Sequence, residues 1–168
     1  MKWILTATAA VAMAQPIVPR AAPEFQIIQA SGSTAKLSSF RGNVVLLAFV
    51  VTMCPHCQAA SKEFEQLKGE FGARGLRVAE AAFDDNGDIS GYVERLGLTF
   101  PVGRSNRTDV RTFLGIRQDV RIGTPQVVLI DREGIIRAQS APEGSPMLQS
   151  AGVLRGVIES MLRRHVAL

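Results

Sequence analysis

Cys54 and Cys57 are the only cysteines in the 168-residue chain, and Pro55 and His56 stand between them. Two sulfurs at this spacing can form a structural cross-link, hold a metal, or exchange disulfides. A cross-link here would close a very short loop, which removes little chain entropy and strains the bond. A zinc site normally takes four ligands. Only His56 and His165 offer nitrogen, one inside the loop and the other near the chain end. Disulfide exchange therefore fits best, with no metal and no cofactor expected. If Cys54 opens a helix, the unpaired N–H groups and the helix dipole stabilise its thiolate. Cys57 then lies about one turn further on, close enough to close a disulfide. Cys54 is the expected exposed nucleophile and Cys57 the buried resolving thiol. His56 is either a plain exposed turn residue or a positive charge beside the Cys54 sulfur that lowers its pKa and makes the pair more oxidising.

A third element is Thr124-Pro125, which follows Arg121-Ile122-Gly123. Its plain reading is a strand-opening proline. Its functional reading is a cis bond that exposes the Thr124 backbone to an extended peptide, which pairs with it as an added strand.

The flanking sequence supplies elements to position these groups. Val44 to Val51 is a run of eight apolar residues without alternation, as in a strand buried on both faces. The cysteine motif follows almost directly. Cys57, Ala60, Phe64, Leu67 and Phe71 then recur at helical spacing, and Pro55 suits the first helical turn. Gly72 and Gly75 end that helix. Strands are expected at Phe25–Ile28, Leu76–Phe83, Gln126–Ile130 and Ile135–Ala138, with a short extended piece at Thr99–Val102. Helices are expected from the Asp88 cap to Leu96, from Arg107 to Leu114 after the Asn106 cap, and from Ser145-Pro146 to about Arg164. The order strand, helix, strand, helix, hairpin, helix describes an α/β domain with a mixed sheet.

Composition narrows the function classes. The chain is 46% apolar and 20% charged. Its length suits one domain that buries roughly 70% of its unfolded surface. The net charge of +4 comes from 19 basic and 15 acidic residues spread along the sequence. No basic tract interleaves with aromatics, so nucleic-acid binding is not expected. Lys2, the apolar run after it and Ala12-Met13-Ala14 read as a cleaved signal peptide over residues 1–14. Residues 15–23 read as a linker and 24–168 as the domain, in a periplasmic or secreted setting where disulfide chemistry is permitted.

The chain resembles the thioredoxin-like superfamily, and within it the TlpA/ResA-type extracytoplasmic thiol–disulfide oxidoreductases, which are related to the AhpC/TSA group. The resemblance rests on Pro23-Glu24-Phe25, the stretch from Leu37 to Phe49, Thr52-Met53-Cys54-Pro55-His56-Cys57, the stretch from Gly97 to Val102, and the stretch from Gly123 to Gly134. It implies a three-layer α/β/α sandwich with an N-terminal β-extension and a central helix-strand insertion. It also implies that Pro125 is cis and faces the cysteines, and that protein cysteines and a redox partner, such as a membrane thiol donor, are the exchange partners of a monomer. Three departures stand out. Met53 replaces the usual Trp at the substrate edge. Ala60 and Lys62 replace a Glu and a Pro after the second cysteine. Ala48 stands where thioredoxin carries a buried acid. Glu63 points roughly to the far side of the helix, so no carboxylate is evident near Cys57. A reductase role like that of those relatives is weakened, and the Pro55-His56 pair is the one found in DsbA-type oxidants. A peroxiredoxin-like peroxidase is a weaker alternative, because Leu47 and Val51 replace its Pro and Thr. A Sco-type copper chaperone is another, with only His165 as a late ligand. A non-catalytic interaction domain is disfavoured by the intact cysteine pair.

Overall fold

The computed structural model describes residues 17–145, 148 and 150–163. The segment read as a signal peptide, His165 and Arg164 lie outside the described residues. Eight strands form one sheet: β1 Arg20–Ala21, β2 Gln26–Gln29, β3 Thr34–Lys36, β4 Val44–Val50, β5 Leu76–Ala82, β6 Val102–Arg104, β7 Gln126–Ile130 and β8 Ile135–Gln139. Their order across the sheet is β1-β8-β7-β4-β5-β6-β2-β3. β4 runs parallel to β5, and β5 parallel to β6, while β7 lies antiparallel to β4. The sheet is therefore mixed, and its central strand leads into the cysteines.

Side-chain parity builds the layers. Val44, Leu46, Ala48 and Val50 of β4 face one side, with helices α1 (Pro55–Phe71), α2 (Ile89–Leu96) and α4 (Ala151–Arg163). Val45, Leu47 and Phe49 face the other side, with α3 (Arg107–Leu114) and the aromatic cluster of Phe25, Phe49 and Phe113. This is the thioredoxin-like α/β/α sandwich. The β2–β3 hairpin is its N-terminal extension, and α2 with β6 is the inserted unit.

The caps behave as their residue types dictate. The Asp88 side chain accepts from the Gly91 N–H at 2.9 Å, and Asn106 accepts from the Asp109 N–H at 2.8 Å. Two local differences from the sequence reading have physical causes. Arg20–Ala21, inside the segment read as a linker, pairs with β8, and the Arg20 guanidinium donates to Phe113 O and Gln139 Oε1. The extended piece expected at Thr99–Val102 becomes a strand only from Val102, because Glu65 draws Thr99 onto α1: its carboxylate accepts from the Thr99 N–H at 2.8 Å. Leu37–Phe40 winds into a 3-10 turn.

Candidate active site

β4 ends at Val50, and the chain turns through Thr52 and Met53 before α1 begins at Pro55. Asp84, just beyond β5, braces this turn. Its carboxylate accepts from the Thr52 N–H at 3.2 Å and from the Thr52 hydroxyl at 2.5 Å. From the helix side, the Gln58 amide donates to Thr52 O at 2.9 Å. Gly87 leaves room for the brace, since a Cβ there would lie 2.5 Å from Asp84 Oδ2.

Cys54 occupies the N-cap of α1, with extended backbone and Pro55 in the first turn. It is half-buried, whereas Cys57 is fully buried, and both are free thiols. Burial alone raises the Cys54 thiol, but the backbone N–H of Cys57, the Thr124 hydroxyl, the Cys57 thiol and the backbone N–H of His56 outweigh it. The net result is a pKa below the ordinary thiol value. Cys57 goes the other way. Desolvation pushes it up to about 12, against partial relief from the Val51 N–H, which points at its sulfur from 3.5 Å. One helical turn thus holds an activated thiol and a suppressed one.

The other side of the pair is the loop before β7. Thr124 Oγ1 lies 3.7 Å from Cys54 Sγ, and the Thr124–Pro125 peptide bond is cis. Buried Gln126 anchors this loop, donating to Gly123 O, Ala141 O and Pro142 O at 2.8–3.1 Å. Gly123 adds an N–H to Pro142 O at 2.8 Å, and its Cα lies so close to the neighbouring chain that a Cβ would be 2.1 Å from Glu143 O.

The structure thus brings Cys54, Cys57, Thr124 and Pro125 together. Pro55, His56 and Met53 form an exposed rim, with Met53 75% exposed. The influence of His56 on Cys54 comes through its backbone N–H. Sequence reasoning passed over Glu80, whose carboxyl adjoins the Ser61 and Tyr92 hydroxyls. It sits on β5 opposite Ala48, on the face it shares with Val78 and Ala82, and is fully buried. That face is the one packed around Cys57. The signal was present in the sequence as a carboxylate enclosed by Val78, Ala79, Ala81, Ala82 and Phe83.

The AhpC/TSA family matches residues 18–139, and the chain belongs to that family. The protein is thioredoxin-like and of the TlpA/ResA type. It is 29% identical over 116 residues to the thiol-disulfide oxidoreductase ResA of Halalkalibacterium halodurans, an alignment covering 68% of this chain and 63% of ResA. The chain thus spans under two thirds of the length of that relative. It is 27% identical over 118 residues to a Mycobacterium tuberculosis protein assigned as a peroxiredoxin, covering 70% of this chain and 72% of that one. Among solved structures, a Chlorobium tepidum protein assigned as the thiol:disulfide interchange protein DsbE superposes with a TM-score of 0.71 at 26% identity. That match covers 86% of this chain and 96% of the other.

Proposed function

We propose that this protein is an extracytoplasmic thiol–disulfide oxidoreductase that exchanges disulfides with protein cysteines through Cys54 and Cys57. The observation that carries the reading is the opposed tuning of the two thiols, one half-exposed and lowered, the other buried and raised. The Cys54 thiolate attacks a substrate disulfide. A Cys54–substrate bond forms, and the first substrate sulfur leaves as a thiolate. Cys57 then loses its proton and attacks Cys54 Sγ. The Cys54–Cys57 bond forms, the mixed disulfide breaks, and the second substrate sulfur departs with the electron pair. The substrate is reduced by two electrons and the pair is oxidised. The reverse sequence oxidises a substrate dithiol.

The Thr124 backbone, Pro125 and exposed Met53 form the ledge on which an extended peptide lies beside Cys54. The names of the ResA and DsbE-like relatives support the reaction class, and the leader-like residues 1–14 support an extracytoplasmic setting. A redox partner outside the chain resets the pair. Its direction follows from the reduction potential, about −120 mV for an oxidant and about −270 mV or lower for a reductase.

The test is disulfide exchange with a protein substrate. Cys54→Ser is expected to abolish turnover, and Cys57→Ser to accumulate a mixed disulfide visible by mass spectrometry. Full turnover by Cys54→Ser would overturn the mechanism. The peroxiredoxin-like relative motivates a parallel assay: efficient hydrogen peroxide reduction with a dithiol donor, without exchange on proteins, would replace this reading with a peroxidase.

A further inference from the structure

Resolution of the mixed disulfide needs a deprotonated Cys57, yet this thiol is buried and reluctant to ionise. Glu80 is the one acidic residue in the buried set among the described residues. Its backbone N–H is used by Pro101 O at 2.9 Å, but neither carboxyl oxygen has a well-formed hydrogen bond. A carboxylate in such a place is costly, so it keeps its proton. Burial pushes its pKa up to about 8, with partial relief from the adjacent Ser61 and Tyr92 hydroxyls.

Those hydroxyls connect it to the backbone carbonyl of Cys57. Ser61 Oγ donates to Cys57 O at 2.9 Å and lies 2.5 Å from Tyr92 Oη. With the Ser61 proton on Cys57 O, the proton between the two hydroxyls belongs to Tyr92. Both then turn lone pairs toward a protonated Glu80, and on ionisation either can swing its proton back to the carboxylate. The Tyr92 phenol is raised by burial first, then by charge on Glu80, and further by charge on Cys57 and Cys54, so one hydroxyl senses the acid and both sulfurs. The faces around Glu80 offer Ser61 and Cys57 from α1, Tyr92 from α2 and aliphatic Ala48 from β4. No lysine, arginine or histidine is among the described groups acting on its charge.

Resting on the exchange reaction proposed above, we infer that Glu80 is the proton store for Cys57, coupled to it across the Ser61 and Tyr92 hydroxyls. In the resolving step Glu80 first releases its own proton to solvent; its carboxylate then takes the Cys57 S–H proton, and the freed thiolate attacks Cys54 Sγ. The substrate thiolate leaves with the electron pair, and Glu80 later gives its proton to water. In the opposite direction Cys57 is the leaving thiolate, and protonated Glu80 returns the proton.

The aromatic disulfide 5,5′-dithiobis(2-nitrobenzoate) separates the two steps, because Cys54 releases one coloured thiolate and Cys57 the second. In the wild type, the second release is expected to rise with pH through an inflection near that of Glu80. Glu80→Gln is expected to slow it about tenfold near neutral pH and remove the inflection, with the first release unchanged. Tyr92→Phe and Ser61→Ala should give smaller losses of the same kind. A superimposable pH profile for Glu80→Gln would overturn the proposal. Independently of turnover, carboxyl NMR of the wild type should show Glu80 titrating well above the usual carboxylate range of about 4. That titration should also differ between the dithiol and disulfide forms. An ordinary titration near 4 would overturn the proposal even if exchange proceeds. Failure of the first release would reject the exchange reading, and the NMR titration would still decide the role of Glu80.

Discussion

At Glu80 and Cys54, burial and hydrogen bonding act in opposite senses, and stability must follow pH accordingly. The folded-state pKa of Glu80, about 8, lies above its unfolded value. Between about pH 4.3 and the folded value, the unfolded chain has released a proton that the folded protein still holds. Stability therefore falls as pH rises through that window, by at most about 1.4 kcal/mol per unit, and levels above it. Cys54 has the opposite sign. Its folded pKa is depressed, so its contribution is present above the unfolded thiol value and is lost as pH falls through the folded one. In the reduced protein, the thermal midpoint should drop from about pH 5 to about pH 8, and Glu80→Gln should flatten that slope and raise the midpoint at neutral pH. Calorimetry at several pH values checks this, and equal slopes for both proteins would contradict it. The same residue shows where sequence reasoning stopped. The cysteine pair was legible because its spacing is local. Glu80 becomes part of the site only because β5 pairs with β4 opposite Ala48 and α2 closes over it, a relation no local pattern carries.

At the scale of elements, the strand-to-helix turn and the loop before β7 must hold two sulfurs and one hydroxyl in place, and each depends on a glycine. Gly123 has no room for a Cβ beside Glu143 O, and it precedes the Thr124 hydroxyl that helps lower the Cys54 thiol. Gly123→Ala should therefore move Thr124 away and raise the Cys54 pKa, slowing its alkylation by iodoacetamide near neutral pH. Asp84→Ala attacks the other support. It removes the acceptor for both the Thr52 N–H and hydroxyl, and should cost about 1–3 kcal/mol in urea unfolding while slowing exchange. Unchanged alkylation in the first variant, or an unchanged unfolding midpoint in the second, would show that these braces do not set the geometry. Most of these elements were readable in advance. The unbroken apolar run of β4, the spacing of α1 and the Asp88 and Asn106 caps are strong local signals. β1 and β3 were not, because strands of two and three residues at sheet edges have too little pattern to read and are fixed by their partners.

At the scale of the whole molecule, the sheet joins two parts with different tasks. β4, β5, β7 and the helices on the Cys57 face hold the cysteine pair, while the β2–β3 hairpin joins the rest of the sheet through β6, and Ile27, with Phe25 just before β2, packs into the opposite core cluster. That attachment passes through one tight point. Gly103 pairs with Gln29 on one side and Ala81 on the other, and a Cβ there would lie 2.4 Å from Ile28 O and 2.8 Å from Gln29 N. Both obstacles are backbone, so no side-chain rotation relieves them, and the hairpin itself must retreat. Gly103→Ala should cost about 1–3 kcal/mol, the range for overpacking a tight site, read as a lower urea midpoint by circular dichroism. The braces around Cys54 come from Asp84, Gln58 and Thr124, none of which lies on the hairpin. The reactivity of Cys54 without denaturant should therefore stay at the wild-type level. Loss of stability with intact thiol reactivity would mark the hairpin as support for the fold, whereas a parallel loss of reactivity would show that β6 transmits strain through β5 to the site.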